Sequence, residues 1–167
     1  MVTLRNVDES NWWATLALTV NPDQQRFISD YAPIAAVVLA KAYIRPAGMT
    51  WLPYAIYADA VLVGLLALVL NVDNSDDCWV FHFFIDQRFQ NRGYGKAALI
   101  ELINVVKHMQ PRYAGISLVV HPENHVAQYL YASVGFRPTG AKRWDQPEYR
   151  LQLEGTHLGL PSDVNLN

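Results

Sequence analysis

Phe83-Phe84-Ile85-Asp86-Gln87-Arg88-Phe89-Gln90-Asn91-Arg92-Gly93-Tyr94-Gly95-Lys96 reads as a strand, a short turn and the start of a helix. The glycines fall where strand becomes helix. Such a turn leaves backbone N–H groups free, and the helix dipole adds partial positive charge to them. A phosphate would be well held there. Gly93 and Gly95 carry no Cβ, so the backbone can come close to a ligand. Arg92 and Lys96 add positive charge.

Downstream of the turn, Ala98, Leu99, Leu102, Ile103, Val106 and Met109 recur at three- and four-residue spacing, which predicts an amphipathic helix ending at Gln110-Pro111. Upstream, Cys78 to Ile85 reads as a strand, reached through the acidic turn Asn71 to Asp77. Before it, Trp51–Ala58 and Val61–Leu70 form two strands around Asp59-Ala60. Both are continuously apolar, as strands covered on both faces should be. Gly64 marks a bulge or a close approach.

The N-terminal part predicts a strand over Thr3–Val7 and a helix capped by Asp8 that runs to Leu18. A second helix, capped by Ser29-Asp30 and carrying Ile34, Val37, Val38, Lys41 and Ala42, ends near Arg45-Pro46-Ala47-Gly48. Beyond the central helix come a buried strand, Ile116–Val120, and a short helix, Val126–Val134, closed by Gly135. Lys142-Arg143-Trp144 and Glu148–Leu153 suggest a last hairpin. The order βααβββαβαβ predicts an α/β (α+β) domain, a mixed sheet with helices on both faces. One domain is expected over residues 1–154, with 155–167 a polar, frayed tail.

Composition sets the limits. The chain has 167 residues, 51% hydrophobic and 17% charged, enough for a folded core. A net charge of −2 argues against a nucleic-acid partner, which would call for a basic face. Cys78 is the single cysteine, so no intramolecular disulfide or cysteine-based metal site is expected. No long apolar stretch follows Met1, and Val61–Val72 is well short of the ~20 residues that span a bilayer. A cytoplasmic protein without a membrane partner is the expectation.

Gln90-Asn91-Arg92-Gly93-Tyr94-Gly95 resembles the Gln/Arg-x-x-Gly-x-Gly/Ala signature of the Gcn5-related N-acetyltransferases. A second segment, from Asn124 through Ala127, Leu130 and Tyr131 to Gly135-Phe136, resembles that family's Asn-x-x-Ala-x-x-Leu-Tyr-x-x-x-Gly-Phe. Order, spacing and expected context agree. The resemblance implies the acyl-CoA N-acyltransferase fold, in which the strand of Cys78–Ile85 and the strand of Ile116–Val120 splay apart. It also implies acetyl-CoA as cosubstrate, its pantetheine arm in the wedge.

Acetyl transfer from a thioester to an amine needs a held pyrophosphate, an aligned arm, a deprotonated amine and a stabilised thiolate. The resemblance assigns the pyrophosphate to Gln90, Asn91, Arg92, Gly93, Tyr94, Gly95 and Lys96. It gives the arm to backbone groups of Phe84, Ile85 and Asp86. Asn124 is expected on the arm, as a helix cap, or as both. By resemblance Tyr131 donates a proton or hydrogen bond to the thiolate, which a phenol can do at neutral pH. Many relatives carry a glutamate on the strand before the turn. Here His82 is that strand's only titratable side chain among residues 79–85. It is a candidate base, a structural histidine or part of the acceptor pocket, and the amine can also lose its proton to water.

Within the family the chain is most similar to bacillus-type diamine and polyamine acetyltransferases, through Asn11-Trp12-Trp13, Asp73–Asp77 and Phe84 to Gln90. The implied acceptor is a small amine such as spermine or spermidine. A polycation needs carboxylates, and Glu9, Asp30, Asp76, Asp77 and Glu148 are available. Trp51, Tyr31, Tyr43 and Tyr54 could wall the cationic chain. The rivals are a protein N-terminus, an amino acid or an antibiotic amine as acceptor, and a non-catalytic acyl-CoA-binding sensor. A homodimer is common among relatives, though nothing in the sequence specifies one.

Overall fold

The computed structural model describes residues 1–28, 33–73, 75–109 and 112–153. Ser29-Asp30 and Tyr31, Asn74, the Gln110-Pro111 helix stop and the expected tail from Gly155 lie outside the described residues.

Among the described residues seven strands form one sheet in the order β1-β2-β3-β4-β5-β7-β6. They are β1 (Val2–Asn6), β2 (Thr50–Ala58), β3 (Val61–Leu70), β4 (Asp77–Ile85), β5 (Gly115–Val119), β6 (Arg137–Arg143) and β7 (Gln146–Gln152). Among the described strands only β4 and β5 run parallel. The helices are α1 (Trp12–Thr15), α2 (Ile34–Ile44), α3 (Tyr94–His108) and α4 (His125–Ser133). The strand and helix expectations hold to within a residue or two, except at β6, which begins at Arg137 rather than Lys142 and leaves Trp144 in the turn, and at the first helix.

That helix is shorter than expected. Asp8 does not cap it: its carboxylate takes Ser10 N–H and hydroxyl instead, and Asn11 becomes the cap position. After Thr15 the chain tightens into i→i−3 bonds, Leu16 to Trp13, Ala17 to Ala14 and Leu18 to Thr15. The turns thus continue to Leu18 without α geometry.

Two cores sandwich the sheet. On one face α3 and α4 bury Leu99, Leu102, Val106, Tyr131 and Phe136; on the other α2 buries Ile34, Ala35 and Val38. Strand β3 serves both by alternation, with Leu66 and Leu68 on the first face and Leu65, Ala67 and Val69 on the second. Val63 breaks the phase and packs on the first face. The reason is a bulge: Ile56 pairs with Gly64 but Tyr57 with Leu62, so Val63 is the extra residue. Gly64 is also a close approach. A Cβ there would lie 2.4 Å from the Phe84 carbonyl oxygen, nearer than any side chain tolerates.

A second bulge shapes the functional end. Leu65 pairs with Phe84 and Ala67 with Phe81, so His82 and Phe83 together oppose Leu66. His82 takes a left-handed backbone conformation, φ +50°. Parallel pairing of β4 with β5 covers only Asp77–Trp79 against Gly115–Ser117. Beyond Trp79 the two strands part, and a wedge opens.

Candidate active site

The wedge leads into a cleft of about 810 Å³, bounded by β4, the glycine turn, α4, the first turns of the chain and the β6–β7 hairpin. Its two ends differ in chemistry.

One end is the glycine turn. Asn91 and Gly93 both have positive φ, +61° and +78°, which turns successive N–H groups the same way. Gly93 occupies the cap position of α3 with no side-chain cap, and no acid lies in the first turn. The first N–H groups of a 15-residue helix therefore stay available for an anion. Gly95 plays another part than ligand approach: its missing Cβ would meet Leu130 at 3.3 Å and then Ile85 and Phe83. It lets α3 sit against α4. Gln90 ties the turn down, donating to Ile85 O at 2.9 Å and to Gln24 Oε1 at 2.9 Å, and accepting from Asn21 at 3.2 Å.

Of the expected cofactor residues, Phe84, Ile85, Gln90, Asn91, Gly93, Tyr94, Gly95, Lys96 and Asn124 line the cleft. Asp86 and Arg92 do not. Asp86 is fully buried behind the wall, and its own N–H is bonded to Val63 O at 2.9 Å. Its carboxylate accepts from Thr19 N–H at 3.0 Å and from the Arg88 backbone and guanidinium. Burial alone would raise its pKa, but these donors outweigh burial and hold it below the usual value. Asp86 is thus a strut between the N-terminal turns and the glycine turn. Arg92 is exposed and bonds to Arg88 O. Asn124 caps α4, its Oδ1 accepting from Ala127 N–H at 3.2 Å.

Tyr131 lies on α4 in the cleft wall, its ring 6.3 Å from Phe83 and 5.8 Å from Phe136. Burial raises its pKa, with no charge or hydrogen bond contributing, so the phenol stays protonated at neutral pH.

At the other end, His82 faces α2. Its Nε2 is 3.3 Å from Lys41 Nζ. An ammonium can only donate, so Nε2 accepts and the ring proton sits on Nδ1. Burial, with the Lys41 charge in addition, lowers the His82 pKa to about 4. Lys41 in turn packs over Trp51, its Nζ 4.7 Å from the ring centroid, and burial lowers its pKa. Phe81 and Trp144 extend the aromatic wall, their centroids 5.7 Å apart.

Of the acids expected for a polycation, Glu9, Asp76, Asp77 and Glu148 do not line the cleft, and Asp30 lies outside the described residues. No Asp or Glu is among the described residues lining the cleft. Asp77 is buried on Arg150 and Ser117, Glu148 pairs with Arg143, and Glu9 is exposed. Trp51 lines the cleft as expected; Tyr43 and Tyr54 do not. Sequence reading passed over Lys41 as one more helix residue. A lone charge on the otherwise apolar run Ile34–Ile44 is the signal that marks it.

Among the described residues no cluster of metal ligands occurs, and no helix is long and apolar enough to cross a membrane.

Residues 12–136 match the acetyltransferase (GNAT) family. Among curated proteins, the spermine/spermidine N(1)-acetyltransferase of Bacillus subtilis is 28% identical over 146 residues, covering 83% of this chain and 90% of that one. Among solved structures, spermidine N-acetyltransferase from Vibrio cholerae, in complex with CoA and spermine, superposes with a TM-score of 0.66 at 18% identity, covering 89% of this chain and 92% of that one. An aminoglycoside acetyltransferase in complex with coenzyme A gives 0.73 at 16% identity over 92% and 95%. These low-identity structures agree with the fold, and the family match covers the glycine turn and Tyr131. The chain belongs to the GNAT family and is an acetyl-CoA-dependent N-acetyltransferase.

Proposed function

We propose that the chain acetylates the primary amine of a small molecule in the cytoplasm, with Tyr131 as the acid. The observation that carries this reading is the place of Tyr131: a buried, protonated phenol on the same cleft that the glycine turn opens into. The amine nitrogen attacks the thioester carbon, the carbon–sulfur bond breaks, Tyr131 gives its proton to the departing thiolate, and the extra proton on the new amide nitrogen passes to water, from which Tyr131 is reprotonated. The N–H groups at the start of α3, with Lys96 beside them, hold the pyrophosphate. The unpaired edge of β4 beyond Trp79 aligns the arm.

His82 fits a pocket-shaping role better than that of base. Its lone pair is engaged by Lys41, and a pKa of about 4 gives it little pull on an ammonium proton. The amine then loses its proton to water before attack.

Two acceptor classes stand within this reading. A diamine or polyamine draws support from the activities in the names of the Bacillus and Vibrio proteins. An amine without a second cation draws support from the described cleft wall, which holds Lys41 and no carboxylate. The test is thiol release from acetyl-CoA against spermine, spermidine, putrescine, amino acids, short peptides and aminoglycosides. Selective turnover of one class identifies it. Tight acetyl-CoA binding without turnover on any amine would replace the enzyme reading of the site with that of a sensor.

A further inference from the structure

The acceptor end holds one charged side chain without a described counter-ion. Lys41 projects from the last turn of α2 over Trp51 and toward His82. No salt bridge to it occurs among the described residues, whereas nearby Arg143 is already paired with Asp73 and Glu148. Lys41 is half-buried, so its ammonium has given up part of its hydration. His82, a neutral acceptor, offsets that loss for one of its three donors. A helix-terminal lysine serving only solubility would extend into water; this one lies flat on an indole inside the cleft.

The surroundings are apolar and aromatic. Trp51 and Phe81 pack with centroids 5.3 Å apart, Trp144 stands beside Phe81, and Met49 lines the same cleft. A second ammonium arriving here would meet a like charge. A carboxylate would meet a cation that has no carboxylate partner among the described residues, in a partly dry site where a charge-assisted bond is strong.

We propose that Lys41 and the aromatic wall beneath it form an anion-recognising subsite, so that the preferred acceptor is a primary amine carrying a carboxylate on an aromatic or apolar body. This rests on the acetyltransferase reading above and names its acceptor class. The reacting amine lies toward Tyr131, and the carboxylate is held away from it on Lys41. That separation also removes a difficulty of acidic pockets, since a carboxylate beside the reacting amine would keep it protonated.

The test compares two ligands with the same ring and the same reacting amine but opposite distal charges, 4-(aminomethyl)benzoate and p-xylylenediamine. Binding to the CoA-saturated protein is measured by calorimetry, so turnover is not needed. The wild type should bind the carboxylate at least about tenfold tighter than the diamine. Lys41→Gln should bring the two to parity, and Lys41→Glu should reverse the order, with CoA affinity unchanged in both variants. Tighter binding of the diamine by the wild type, no detectable binding of the carboxylate, or a carboxylate preference that survives Lys41→Glu overturns the proposal. Carboxylate binding without acetylation would instead count against the proposed chemistry while leaving this subsite standing.

Discussion

Asp77→Ala should be the most destabilising single change at the closed end of the wedge. The Asp77 carboxylate accepts from Arg150 Nε at 2.5 Å, from Arg150 Nη2 at 2.8 Å and from Ser117 Oγ at 2.9 Å. These bonds join β4, β5 and β7 where parallel pairing of β4 with β5 is only three residues long. The guanidinium also fills the space that a Cβ at Gly115 would need, 2.7 Å away. Breaking a buried ion pair costs roughly 3–5 kcal/mol. Here the Arg150 side chain is 30% exposed, so water relieves part of the orphaned charge. A loss of about 3 kcal/mol follows, which for a domain of this size is a fall in Tm of about 6–12 °C. Urea unfolding of Asp77→Ala, Arg150→Ala and the double variant measures it. The double variant should cost at least about 1.5 kcal/mol less than the sum of the singles. The KM for acetyl-CoA should rise in Asp77→Ala more than kcat falls, because the wedge loosens while Tyr131 is untouched. A loss below about 1 kcal/mol, or strict additivity, would refute the clasp.

Gly93→Ala meets open space but must hold φ +78°, so it should cost about 1 kcal/mol of stability and raise the KM for acetyl-CoA several-fold, read by steady-state kinetics. His82 has a folded-state pKa of about 4, lowered by burial from 6.5. The unfolded chain therefore binds the extra proton first: the His82 contribution is complete above pH 6.5 and declines as pH falls toward 4. His82→Gln should flatten that slope in denaturant unfolding measured across the window. Cys78 is buried and its thiol is pushed up to about 12, so it should not react with a disulfide reagent until the protein unfolds.

What was legible in the sequence was local. Gly93 and Gly95 beside an apolar strand, and the spacing from Ala98 to Val106, need no tertiary information to be read. The strands Trp51–Ala58 and Val61–Leu70 announced burial on both faces, and β3 feeds two cores. The phase flip at Val63 was not legible, because it depends on how β2 and β3 pair around Gly64. Nor was the left-handed turn at His82, which exists because two residues of β4 oppose one of β3. The side chain of Asp86 escaped for the same reason, since its partner Thr19 is 67 residues away. Lys41 and Trp144 come from a helix and a hairpin far apart in sequence, and only the closed cleft brings them to one wall. Acidic clusters misled in the other direction: Asp77 and Glu148 are committed to arginines.

The central claim is that Tyr131 supplies the proton to the leaving thiolate, and Tyr131→Phe tests it most directly. The change removes one oxygen from a buried ring packed on Phe83 and Phe136 and should leave the fold intact. Thiol release with the best acceptor of the panel, measured at saturating acetyl-CoA, should fall about 10²-fold or more while the KM for acetyl-CoA stays within about twofold. A kcat within about threefold of the wild type would contradict the account and move the proton's source to water.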